Sequence, residues 1–268
     1  TYSLGSDLFK GYNFNSVHIP DKVVEVRSSA FENCERLLSV TGCGGLTTVG
    51  TNAFYGCERL ESIVLDYVTQ IGDYAFAECE SLSSFESPSK LVSVGRYAFM
   101  NTATLESVKL NAQTLEYGAF EESGLVCADL NVETICTYVF NNCAYLSEVI
   151  LREGLLNLQE RAFVNCVSIK RLDFPATVGN LGAQTGFKSL ESVSVSENNA
   201  RYKHIDGCIV ETDAKKVVLA CKNAVIPNDG SVEIIGDYAF YGCSLSKVVL
   251  PESVKKIGRS AFEGGIFG

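Results

Sequence analysis

Ile71-Gly72-Asp73-Tyr74-Ala75-Phe76-Ala77-Glu78-Cys79-Glu80-Ser81-Leu82 is the stretch from which the chain is best read. Its skeleton, Ile-Gly-x-x-Ala-Phe-x-x-Cys-x-x-Leu, returns in degraded copies along the sequence. The phenylalanines that mark it are Phe9, Phe31, Phe54, Phe76, Phe99, Phe120, Phe140, Phe163, Phe187, Phe240 and Phe262. Successive anchors lie 20 to 24 residues apart, except for one gap of 53 between Phe187 and Phe240. A unit this short cannot bury its apolar face alone and must stack on a neighbour, so the period predicts a solenoid.

Each unit reads in three parts. An aliphatic residue and glycine come first (Ile71-Gly72, Val94-Gly95, Ile235-Gly236, Ile257-Gly258). The glycine is expected to permit a left-handed or tightly turned backbone. Ala-Phe-x-x-Cys follows; it is too short for a full helix and predicts a helical or 3₁₀ turn with phenylalanine inside. Leu-x-x-Val-x-Leu closes the unit, and its alternation predicts a short strand with one buried face. Strands of successive units then pair in parallel.

Leu-x-x-Val-x-Leu, Val-x-x-Ile-Gly-x-x-Ala-Phe-x-x-Cys-x-x-Leu together resemble the BspA-type leucine-rich repeat over essentially the whole chain. The expected fold is an α/β repeat solenoid: a right-handed leucine-rich-repeat array of about eleven units with parallel strands, short helical turns and one β-hairpin insertion. Residues 1–268 read as a single array, with repeats in 1–195, a hairpin insertion in 196–231 and repeats resumed in 232–268. Both ends fall inside a repeat, at Leu4-Gly5 and after Ala261-Phe262, as expected of an excised or processed piece. The Phe120 and Phe140 copies are shortened and carry Glu116 and Cys136 where glycine is expected. Within the insertion, Cys208 to Thr212 and Lys216 to Cys221 read as strands around Asp213-Ala214-Lys215. An Asp-Gly hairpin of this kind also resembles the family.

Composition narrows the function. The 268 residues are 46% hydrophobic, enough for a large core, and carry a net charge of −10. The longest basic runs are Lys-Lys pairs, so nucleic acid is a poor partner. No apolar run reaches membrane-spanning length. Six of the eleven cysteines, Cys34, Cys57, Cys79, Cys143, Cys166 and Cys243, fall three residues after an anchor. Thr102 and Ser123 take the same slot, so it asks for a small buried side chain, and reduced thiols are expected. His18 and His204 lie far apart with no supporting ligand, so no metal or other cofactor is indicated, and no catalytic residue stands out. Glu121-Glu122 reads as solvated surface.

What remains free of packing duty is the outward side of the strands. Candidate partner-binding residues there are Glu61, Ser62, Glu86, Glu106, Lys109, Glu148, Lys170, Arg171 and Asp173, with a basic patch at Lys170-Arg171. Tyr202, His204 and Asp206 are candidates on the hairpin. The reading is a non-catalytic module that recognises a protein or glycan over its strand face. The resemblance implies a bacterial surface or secreted adhesin, extracellular or at the cell surface, meeting host matrix or cells. A passive spacer is the alternative, and a carbohydrate-active solenoid enzyme the third reading.

Overall fold

A computed structural model describes residues 2–245 and 247–265; Thr1, Ser246 and Ile266 to Gly268 lie outside it. The chain winds through about twelve turns, each laid on the last. Two ribbons of short parallel strands lie along the coil, both of them interrupted. The Leu-x-x-Val-x-Leu segments supply the first, with pairings such as Ser16–Ile19 on Ser39–Gly42 and Arg171–Phe174 on Ser192–Val195. The residues before each glycine supply the second: Val23–Val26, Thr48–Val49, Gln70–Ile71, Ser93–Val94 and so on to Asn180–Leu181.

The third wall is not helical. Among the described residues there are strands and turns only. The residues two before and two after the anchor phenylalanine take positive φ: Tyr74 (55°) and Glu78 (61°) around Phe76, Tyr97 (56°) and Asn101 (56°) around Phe99. A helix needs consecutive right-handed residues, and these interruptions forbid one. The alternation instead splits the amide groups between two duties. The amides of Ala53 and Tyr55 close turns within their own unit, onto Gly50 and Asn52. The amides of Phe54 and Phe76 cross to the next unit, onto the carbonyls of Ala75 and Ala98, each at 2.8 Å. A left-handed non-glycine residue costs about 1 to 3 kcal/mol. A regular unit recovers three cross-unit bonds of about 1 kcal/mol, as from the Asn52, Phe54 and Gly56 amides, and a phenylalanine burial of about 2 kcal/mol, comparable to the cost of its two left-handed residues.

Inside, the phenylalanines form one column. Phe31, Phe54 and Phe76 stack at 5.0 and 5.3 Å with planes 3° apart, and the stack continues through Phe99, Phe120 and Phe140 to Phe163. It weakens at Phe187, 6.2 Å away and tilted 37°. The cysteine slot adds a polar thread. Cys57 donates its thiol to the Phe31 carbonyl at 3.1 Å, Cys79 to Phe54 at 3.2 Å and Cys166 to Phe140 at 3.0 Å. All eleven cysteines are free. The repeat glycine has a different task from the expected one. Gly72 has no left-handed φ; a Cβ there would stand 2.7 Å from the Gly50 carbonyl carbon, so glycine lets one backbone lie on another.

Two places break the regular winding. In most units a turn separates the two ribbons, as where the Val68 amide closes onto the Leu65 carbonyl. The shortened copies lack those residues, so the chain runs straight through as nine-residue strands, Ser107–Leu115 and Cys127–Ile135, paired in register. The second break is the insertion. Tyr202–Ile205, Cys208–Glu211 and Lys216–Ala220 form an antiparallel sheet, and the last of these then pairs in parallel with Ile234–Ile235. This strand is itself a turn of the coil. The Ala220 amide bonds the Ala239 carbonyl, and Cys243 donates to the Ala220 carbonyl, so Ala220 stands where a phenylalanine belongs. The sheet divides the interior: Ile209, Val218 and Leu219 face the long core, while Cys208, Val210 and Val217 face a second core around Phe240.

Tyr202, expected as a contact residue, is turned inward and only 2% exposed. The second ribbon stops at Leu181, whose amide has no next strand to meet. The Tyr202 hydroxyl accepts it at 3.0 Å. Tyr202→Phe therefore leaves a buried N–H unpaired and should cost about 1 to 3 kcal/mol in urea unfolding, with the ring still packed; an unchanged midpoint would contradict this role. Burial pushes the Cys143 and Cys243 thiols up to about 12. Alkylation of the native protein at about pH 8, near the ordinary thiol value, should reach the half-buried Cys127 and, more slowly, Cys136, whose thiol is pushed up to about 11 by burial and Glu116, and spare the nine buried cysteines, with all eleven labelled in urea. Labelling of the core thiols at the same rate would refute the thiol column.

Candidate binding face

The first ribbon places its outward side chains in two columns. One runs Ser16, Ser39, Ser62 and, further along, Ser107, Cys127, Glu148. The other runs Glu86, Lys109, Asp129, Ile150, with Asp173 and Ser194 beyond. Glu61, Ser62, Glu86, Glu106, Lys109, Glu148, Lys170 and Arg171 are exposed and Asp173 is half-buried. They form a line along the coil and not a single cluster, because each unit contributes at the same register. Glu86 and Lys109 are neighbours; Glu61 and Ser62 lie toward the start of the array. The basic patch is partly neutralised, since the Arg171 guanidinium bonds Asp173 at 2.5 Å, and Ser194 donates to the other Asp173 oxygen.

The densest chemistry sits where the two nine-residue strands run side by side. Arg152 grips Asp129 with two hydrogen bonds, of 2.7 and 2.8 Å. Those bonds, helped by the nearby Lys109, hold the Asp129 carboxyl below its usual range. Asn131 donates to the side-chain oxygen of Asn111 at 2.8 Å, and Ser87 caps the Asn111 backbone from the preceding unit. Lys109, Asn111, Asp129, Asn131, Arg152 and Glu153 line an open groove of about 700 Å³. Opposite charges and amides alternate across it at strand spacing, which suits a partner that offers donors and acceptors in turn.

Sequence reading reached Lys109 but missed Asp129, Arg152 and the two asparagines. The unit of Asp129 and Asn131 reads Leu125-x-x-Ala128-x-Leu130, with alanine where the others carry a branched residue. The signal available was the shortening itself: without turn residues, Asn111 and Asn131 had to lie on a strand.

Other candidates resolve into packing. Glu121 is pushed up by partial burial and accepts from Asn141 at 2.7 Å, while Glu122 accepts from Asn142 at 3.2 Å. These acids belong to an Asn/Glu ladder along the turn wall. His18 is exposed beside the Thr41 hydroxyl, and His204 accepts from the Gly207 amide at 3.2 Å. Asp206 is exposed and sits at φ 49° in the hairpin turn. Among the described residues no three His, Cys, Asp or Glu gather in a metal-binding cluster. No helix among them is long and apolar enough to cross a membrane.

A family model described as BspA type leucine rich repeat region matches the chain in six copies, over residues 2–126, 126–229 and 218–265. Solved structures share the winding. A leucine rich cell surface protein of Faecalibacterium prausnitzii aligns at TM-score 0.53 and 24% identity, over 100% of this chain and 64% of that one. The chain thus spans less than two thirds of that relative. A leucine-rich repeat protein of Bacteroides ovatus aligns at TM-score 0.60 and 23% identity, over 98% of this chain and 80% of its own. The leucine rich repeat protein of T. pallidum aligns at 0.50 and 27%, over 58% of this chain and 78% of its own. No curated protein matches.

The Asp129–Arg152 pair makes a direct prediction. A carboxylate held low in the folded state stabilises above its unfolded value and loses that contribution as pH falls. Asp129→Asn should cost about 0.2 to 1 kcal/mol at neutral pH, as a well-formed surface pair does. The difference from wild type should shrink below about pH 4. A pH-independent difference in urea unfolding would show that the charge is not what matters.

Proposed function

Because the chain belongs to the BspA-type leucine-rich repeat family, we propose that it is a non-catalytic binding module whose first strand ribbon recognises an extracellular protein. The observation that carries this reading is the groove over the paired nine-residue strands. It is the place where both ribbons become one continuous surface, and it presents Lys109, Asp129 and Arg152 between the Asn111–Asn131 pair. Rigid strands hold these groups in fixed register, so little ordering entropy is lost on binding. The solenoid supplies a long surface of the kind repeat arrays use for partners. A location at the cell surface is supported by the Faecalibacterium prausnitzii relative, a leucine rich cell surface protein. Matrix proteins and host-cell glycoproteins are the partner class that such a location offers.

The test is an array of matrix proteins and glycans probed with the wild-type chain, then with Lys109→Glu and Asn131→Arg. Both positions are exposed, so the fold should be retained. Binding of one protein class that falls about tenfold or more in each variant, the worth of one lost charged contact, is the expected result. Background signal throughout would leave the passive spacer as the better reading, and binding that ignores both changes would rule out the groove as the site.

A further inference from the structure

The second ribbon has one discontinuity, and it is charged. Up to Asn180 its outward column is Glu25, Thr48, Gln70, Ser93, Thr114, Thr134, Asn157 and Asn180, polar and almost uncharged. After the break it continues as Lys216, Ile234, Lys256. The strand that should follow Asn180–Leu181 is missing from the sheet, and a cleft of about 290 Å³ opens there. Its walls are Leu181 and Ala183 on one side and Val218, Ile234, Lys216 and Lys256 on the other.

The two lysines are free to act. Next to them, Lys215 and Lys255 are spent on Glu233, at 2.8 and 2.7 Å, and pull its carboxyl down to about 2. Lys216 and Lys256 have no carboxylate within ion-pair distance among the described residues. The stem of Lys216 runs across Gly236, where a Cβ would stand 2.8 Å from its Cε, so glycine keeps the path open. Asp237 is the acid of the cleft, and one of its oxygens already accepts from the Arg259 amide at 2.9 Å. Beside the cleft, Arg161 reaches across the break to the Tyr238 hydroxyl at 2.9 Å, and Arg161 and Arg259 flank the Tyr238 ring at 5.3 and 5.2 Å. In a chain of net charge −10 this is a local concentration of positive charge.

We propose that this cleft is a second binding site, which takes an acidic sugar, two rings carrying sulfate or carboxylate groups, between Lys216 and Lys256. The lysine positions stand two strand spacings apart, about 10 Å, so one anionic group on each ring reaches one ammonium. The space exceeds a bare anion, and Ile234, with the edges of the buried Leu181 and Val218, gives its walls some aliphatic surface for the C–H faces of a sugar. The site lies on the second ribbon beyond its break, shares no lining residue with the groove over the nine-residue strands, and stands or falls separately from it.

Titration calorimetry with the intact chain tests this with four probes: a sulfated disaccharide, a uronate disaccharide, a neutral disaccharide and inorganic sulfate. One of the two acidic disaccharides should bind saturably and weaken with salt, and comparison of the two identifies the anionic group. Lys216→Gln and Lys256→Gln should each lower its affinity about tenfold, the value of one charged hydrogen bond. Lys22→Gln, exposed near the start of the array, should leave it unchanged. Lys256 is exposed, so its variant keeps the test valid even if Lys216→Gln unfolds. Absence of saturable binding by both acidic sugars overturns the proposal. So does equal binding of the neutral sugar or of sulfate alone, or indifference to Lys256→Gln.

Discussion

The fold rests on one recurring bond: the amide of an anchor phenylalanine donating to the carbonyl of the residue before the next anchor, as from Phe54 to Ala75 and from Phe120 to Val139. That bond fixes the rise between turns at the spacing of paired strands. It brings the phenylalanine rings to about 5 Å. It goes with left-handed residues on either side of most rings, where asparagine and glycine recur and tyrosine, serine, glutamate, Asp7 and Arg161 also serve. The glycines, the small cysteine-slot residues and the aliphatic strand positions all follow from laying one such turn on another without a gap.

The repeat was therefore legible from Phe, Gly and Cys spacing, because packing is enforced at every turn. The turn geometry was not. Ala-Phe-x-x-Cys is as compatible with a helical turn as with the alternating backbone adopted, and only the neighbour's carbonyl decides between them. Glycine was read for its conformational freedom, whereas Gly72 serves close approach to Gly50. The insertion's two strands around Asp213-Ala214-Lys215 were visible as a hairpin. That the second strand would become a turn of the coil, with Ala220 in a phenylalanine position, depends on contacts from residues beyond it.

The proposed binding surfaces follow the same division. Exposed strand residues such as Glu86 and Lys109 were identifiable because alternation says which side faces out. Asp129, Arg152, Asn111 and Asn131 come together because two units lost their corner, and Lys216 and Lys256 because one strand is missing from a ribbon. Both proposed sites lie where the repeat fails. A perfect repeat presents the same shape everywhere, and a partner needs a place that differs.

The central claim is that a continuous phenylalanine column ends at the insertion and a second core begins beyond it. Residue-resolved native-state hydrogen exchange tests it most directly. The cross-unit amides of Phe31, Phe54, Phe76, Phe99, Phe120 and Phe140 should open together, with one denaturant dependence, as a single cooperative unit. The Phe240 amide, bonded to Ala261 at 2.7 Å across the far core, should open separately and at lower free energy. A common opening free energy and denaturant slope for both groups would contradict the division and make the insertion an ornament on one uninterrupted core.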